Sequence, residues 1–144
     1  MKEKWIIFLF LGVCSGQDLQ ERQISTAWLK FGMAAAVLIT VWNMVKNNIM
    51  WWEIPVGMLP GLLMMFYSKT TSGKLGEADG WMVLVTGILL GWRAGVTILM
   101  LACLAVCGMA MVLIIPGKAD RYIRLPFAPF LLTGFLVWEC FIAM

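Results

Sequence analysis

The sequence predicts an all-α, polytopic membrane protein of about six transmembrane helices, forming a single integral membrane domain over residues 1–144. Three observations carry that prediction. Hydrophobic residues make up 62% of the chain, with a mean hydropathy of +0.88. Charged residues make up only 13%, against about 25% in an average soluble domain. A soluble fold of this length has no interior large enough for so much apolar surface, so the bilayer is the expected solvent. Finally, polar clusters divide the chain into six apolar segments, at about 4–17, 27–45, 49–67, 80–92, 95–115 and 126–143. No soluble domain fits between them.

The first segment opens "MKEKWIIFLFLGVCSG", which has the basic start, short apolar run and small residues of a signal peptide. Val13 is a poor residue before a lipid-modified Cys14, and more membrane sequence follows, so a retained first span is expected. In the third segment Pro55 and Pro60 are expected to kink a helix, which neighbouring helices tolerate in lipid. Trp51, Trp52, Trp81, Trp92 and Trp138 fall near segment ends, where aromatic belts form. The first and fourth segments are short of the roughly 20 residues a span needs. Each gains length only by extending its helix through adjoining polar residues. That extension takes in Asp18 in one case and Asp79 in the other.

Arg22, Lys30, Lys69, Lys74, Lys118, Arg121 and Arg124 fall on one side of the expected membrane, and Lys2, Lys4, Lys46 and Arg93 on the other. The positive-inside rule makes the first side cytoplasmic and puts both termini outside. Net charge is +3, which gives no footprint for nucleic acid, and the chain has no His. Ser/His and Cys/His catalysis are thereby excluded, and the commonest metal ligand is missing. Cys14, Cys103, Cys107 and Cys140 form no C-x-x-C pair. Cys103 and Cys107 share a helix face at i, i+4, and they are read as small packing residues between helices rather than metal ligands. No metal and no cofactor is expected.

Three Asp and five Glu remain to be weighed. Asp120, Glu3 and Glu21 read as solvated surface charges, and Glu53 and Glu139 as capping or interfacial groups at the outer ends of their spans. Glu77 reads as a favourable acid near a helix N-terminus. Asp18 and Asp79 differ because both are drawn toward membrane depth, where ionisable groups are costly and mark sites or pathways. Two spans separate them, so they share a membrane face. The plainer alternative is that Asp18 pairs with Arg22 at i, i+4 and Asp79 caps the fourth helix. As a pair, two carboxylates sharing a proton can hydrolyse an amide: one takes the proton of water while the other protonates the carbonyl oxygen. Helix dipoles predict Asp79, near a helix N-terminus, as the ionised base and Asp18, near a helix C-terminus, as the acid.

Around these residues the chain resembles the type IV prepilin peptidases, membrane aspartyl proteases of the GxGD class. "SGQDLQERQIS" (15–25) is similar to the family's S-x-x-D motif with its basic residues and I-P: Ser15, Asp18, Arg22 and Ile24 match, and Ser25 replaces the proline. "GEADG" (76–80) and "GILLG" (87–91) resemble G-x-G-D and its glycine-spaced helix, through Gly76, Asp79, Gly87 and Gly91. "LPFAPFL" (125–131) is similar to the run opening the family's last helix, with Pro126, Phe127, Pro129 and Phe130 in place. Ala78 and Ala128 replace glycines of these motifs, and Trp81 stands where the family often has Lys. An alanine methyl at 78 narrows backbone approach to a substrate.

The resemblance implies that Asp18 and Asp79 are the catalytic pair, supported by Ser15, Arg22, Gly76, Ala78, Pro126, Phe127 and Pro129. It implies cleavage of leader peptides from prepilins or pseudopilins at the cytoplasmic face of a bacterial inner membrane. Nothing corresponds to the cysteine-rich, methyltransferase-linked loop of longer relatives, so peptidase chemistry without zinc is expected. Two other readings stand beside it: an inactive prepilin-binding homologue, supported by Ala78, and a small ion-conducting or transport protein using both aspartates as ion ligands.

Overall fold

A computed structural model of the chain describes residues 2–21, 26–47, 52–71, 76–114 and 126–143. These form helices α1 (Lys2–Glu21), α2 (Thr26–Asn47), α3 (Glu53–Thr70), α4 (Glu77–Leu90), α5 (Trp92–Ile114) and α6 (Ala128–Ala143), with no strand among the described residues. The all-α expectation therefore holds. The helices run alternately up and down, and two ends of the bundle can be told apart by named contacts. Lys4 meets Glu139 at one end of the α1–α6 pair, and Asp18 meets Ala128 at the other.

Helix α4 lies at the centre, touching α1, α2, α3 and α5. Its sequence, "EADGWMVLVTGILL", is apolar on every side beyond the first turn, and such a helix is stable only when covered all round. Every residue from Met82 to Leu89 is buried. The cover on one side is α3, which approaches at backbone distance because both helices present glycine. A Cβ built on Gly57 would lie 2.5 Å from the carbonyl oxygen of Gly87, and one on Gly61 equally close to the Leu84 side chain. Small residues at such spacing allow the van der Waals contact that holds helices together where water supplies no driving force. On another side the Thr40 hydroxyl of α2 lies 2.8 Å from its own Ala36 carbonyl and 3.3 Å from that of Ile88 in α4.

Gly91 ends α4. Its φ of +83° belongs to a region that residues with a Cβ rarely adopt, and α5 begins at the next residue. This abrupt turn fixes α4 at 14 residues, about 21 Å of helix. The expectation of a full span through Asp79 is thus corrected. The helix does take in Asp79, but it remains too short to cross and is sheathed by protein. Helix α1 does extend through Asp18, to Glu21.

Two described helices are long and apolar enough to cross a membrane, at Thr26–Lys46 and Trp92–Val112, and Ala128–Ile142 is a shorter apolar helix. The two long segments are mostly uncovered by protein, with 22% and 17% of their residues buried. Phe31, Leu38, Trp42 and Val45 of α2 and Met100, Leu104 and Met111 of α5 point outward, whereas Ser15, Thr40, Ser68 and Thr86 are inside. Cys103 and Cys107 also lie on the outer face of α5, so they do not pack between helices as expected; Cys14 does. Pro60 is within α3, but Pro55 falls in its first turn, where a missing N–H breaks no helical bond, so no kink is required there.

Candidate active site

Three helix ends meet at one end of the bundle: the C-terminus of α1 and the N-termini of α4 and α6. Each brings one feature of the site. Asp18 stands on the last turn of α1, half-buried, with Ser15 buried one turn before it. Asp79 stands in the first turn of α4, also half-buried. The two carboxyl groups lie within electrostatic reach of each other, and α1 packs directly on α4.

Asp79 is held by its own helix start. Gly76 is the N-cap, its carbonyl accepts the Asp79 N–H at 3.1 Å, and its own N–H donates back to the Asp79 carboxylate. This is one half of a capping box, with the acid at the third helical position. A Cβ on residue 76 would lie 2.8 Å from Asp79 Oδ2. Glycine at 76 thus gives the carboxylate its room, a physical reason for the first glycine of the motif. Asp79 is thus not the N-cap itself, as the alternative had it; it reaches back to the N-cap residue from the third helical position. Ala78 is partly buried and packs against the hydrophobic core, so its methyl is taken up by helix packing.

Asp18 is held from α6. Phe127 precedes that helix and its carbonyl accepts the N–H groups of Phe130 and Leu131 at 3.1 and 3.0 Å. Pro129 has no N–H to satisfy. The Ala128 N–H, which has no partner inside the helix, donates to Asp18 Oδ2 at 3.1 Å. A carboxylate is a good partner for such an orphan donor. The "LPFAPFL" turn therefore does more than start the last helix: it delivers one backbone donor to Asp18. Pro126 lies just before this turn, and the half-buried Phe127 packs against the core. Sequence reasoning missed the link, although the two prolines leave only the N–H groups of Phe127 and Ala128 between them.

This contact overturns the dipole premise used to assign acid and base. Asp18 ends α1, but its carboxylate also faces the N-terminus of α6, which favours negative charge. At Asp18 the C-terminal end of α1 and the N-terminal end of α6 therefore act in opposite senses, so the dipole of α1 alone does not assign the acid. Arg22, the expected partner of Asp18, lies outside the described residues, as do Asp120 and Leu125. Glu77 is exposed in the first turn of α4, as read. Glu139, read as an interfacial group, instead forms an ion pair with Lys4 at 2.9 Å, at the far end of the bundle.

The sequence model of the type IV leader peptidase family matches residues 5–113. The chain belongs to the type IV leader peptidase family. The matched span includes Ser15, Asp18, Gly76 and Asp79 but ends before α6, so the donor at Ala128 is an addition that the fold makes to the family's matched region. No curated protein and no solved structure matches the chain. Membership in the leader peptidase family implies a peptidase. Among the described residues no cluster of three His, Cys, Asp or Glu side chains is placed to hold a metal.

Proposed function

We propose that the chain is a membrane-embedded aspartic endopeptidase that removes leader peptides from prepilin-like or pseudopilin substrates, with Asp18 and Asp79 as its catalytic pair. The observation that carries this reading is their approach across the α1–α4 contact, in a chain of the leader peptidase family. The outward apolar faces of α2 and α5 support a bilayer around the bundle. Apolar patches of that extent do not face water in a monomeric soluble protein.

A pair of carboxyl groups can hydrolyse an amide by sharing one proton, one member ionised and the other protonated. The ionised member takes a proton from water as the water oxygen attacks the scissile carbonyl. The protonated member gives its proton to the carbonyl oxygen, producing a neutral diol. Collapse of the diol then breaks the C–N bond, with a proton passing to the leaving amine. The Ala128 N–H and the Gly76 N–H each hold one carboxyl in position for these transfers.

Purified protein incubated with a prepilin-like substrate tests the proposal. Cleavage is expected in the parent chain. Asp18→Asn and Asp79→Asn should each lower it by about 10²–10⁴-fold, the usual contribution of a positioned acid or base. Full activity in either variant rejects the pair. Substrate binding without cleavage in the parent chain would favour an inactive homologue.

A further inference from the structure

At the end of the bundle away from the aspartates, α1 and α6 enclose a groove of about 410 Å³, lined by Lys4, Trp5, Phe8, Phe135, Leu136 and Glu139. This is within the size range of small-ligand sites, about 300–1,000 Å³. It is distinct from the peptidase site: Lys4 and Asp18 stand on the same helix, about 21 Å apart along its axis. Its walls are apolar except for one ion pair. Lys4 Nζ donates to Glu139 Oε2 at 2.9 Å and lies 5.5 Å from the centroid of the Trp138 ring. The second carboxylate oxygen, Glu139 Oε1, is enclosed and has no donor.

We propose that this groove binds one phospholipid with a zwitterionic, primary-ammonium headgroup, of the phosphatidylethanolamine class; the inference rests on the membrane reading above. Among the described lining residues the charges, Lys4 and Glu139, sum to zero. A purely anionic headgroup would meet Glu139, and a purely cationic one would meet Lys4. A zwitterion complements both. Its phosphate accepts from the N–H groups that Lys4 does not spend on Glu139, since an ammonium has three. Its own ammonium donates to the carboxylate oxygen that lacks a partner. The last torsion of a Glu side chain is broad, so turning Oε1 toward the groove is a soft motion. A quaternary ammonium has no N–H to give, so a choline headgroup leaves Oε1 unpaired. The apolar remainder of the groove fits an acyl chain, with Trp5, 70% exposed, at its mouth. Lys near a helix end and Trp beside it are the side chains expected at headgroup depth.

Native mass spectrometry of the full chain tests this, with phosphatidylethanolamine, phosphatidylcholine and phosphatidylglycerol of identical acyl chains added in turn. One ethanolamine lipid per chain should be retained about tenfold better than either of the others, equivalent to about 1.4 kcal/mol. Glu139→Gln, which keeps the shape of the side chain and an acceptor for Lys4, should erase that preference, as should Lys4→Gln. Equal retention of the three lipids by the parent chain overturns the proposal without recourse to any variant. So does a preference that survives in both variants, or a groove closed by a second chain with no lipid retained. Alkaline carbonate extraction of native membranes is run beside it. Release of the chain from membranes rejects the membrane reading itself, whereas retention with no headgroup preference rejects only the lipid site.

Discussion

At the scale of single residues, the site depends on how two carboxyl groups are held rather than only on their presence. Asp79 turns back on the start of its own helix and occupies the space that a side chain at 76 would fill. Gly76→Ala would put a methyl 2.8 Å from Oδ2 and displace the carboxylate. Catalytic geometry tolerates little displacement, and a misplacement of about 1 Å can cost on the order of 10²-fold. The expected outcome is cleavage reduced to about that extent, with unchanged protein in the membrane fraction. Parent-like cleavage by Gly76→Ala would show that the glycine serves some other purpose. The aspartates themselves were legible in the sequence, because so few carboxylates exist in the chain and these two abut undersized apolar runs. The Ala128 donor was not, because position 128 follows position 18 by 110 residues and only the packing of α1 on α6 joins them.

At the scale of elements, the α3–α4 contact helps to set where Asp79 stands, because α3 lies against α4 as far as Gly80, the residue next to it. Gly87 lies against the backbone of Gly57, with no space for a methyl. Gly87→Ala should therefore separate the two helices and destabilise the bundle by about 1–3 kcal/mol, the usual cost of overpacking. Gly108→Ala is the matched control: nothing lies within 4 Å of a Cβ there, and alanine gains about 0.5–1 kcal/mol over glycine in a helix. Thermal unfolding in detergent should show the first variant melting lower and the second no lower than the parent chain. If both behave alike, the close α3–α4 approach does not hold the fold.

The six segments were visible from hydropathy and polar punctuation, and every one became a helix. What hydropathy could not distinguish was an apolar helix facing lipid from one facing other helices. Both need apolar side chains on every face, so α4 read as a short span when it is the covered centre of the bundle. The telling signal was present in its length and in Gly91, which closes it.

At the scale of the whole molecule, the two ends of the bundle differ in chemistry. Asp18, Asp79 and the Ala128 N–H gather at one end, while Lys4, Glu139 and Gly91 stand at the other. By order along the sequence, seven Lys and Arg against four are expected on the aspartate side, so this end is proposed to be cytoplasmic. Arg22, Lys74, Lys118, Arg121 and Arg124 of that excess lie outside the described residues. Thr70 and Glu77 are exposed at the aspartate end and Trp52 at the opposite end. In a chain with Cys14, Cys103, Cys107 and Cys140 replaced by Ser or Ala, each of the three positions is changed to Cys and treated with a membrane-impermeant thiol reagent. In spheroplasts Trp52→Cys should label at once, and Thr70→Cys and Glu77→Cys only after the membrane is opened. The reverse pattern would leave the aspartate pair intact as a catalyst but place it on the outer face, contradicting cleavage from the cytoplasmic side. Labelling of all three before opening would mean that the bundle does not separate two compartments, and then the apolar faces of α2 and α5 must be covered by something other than lipid.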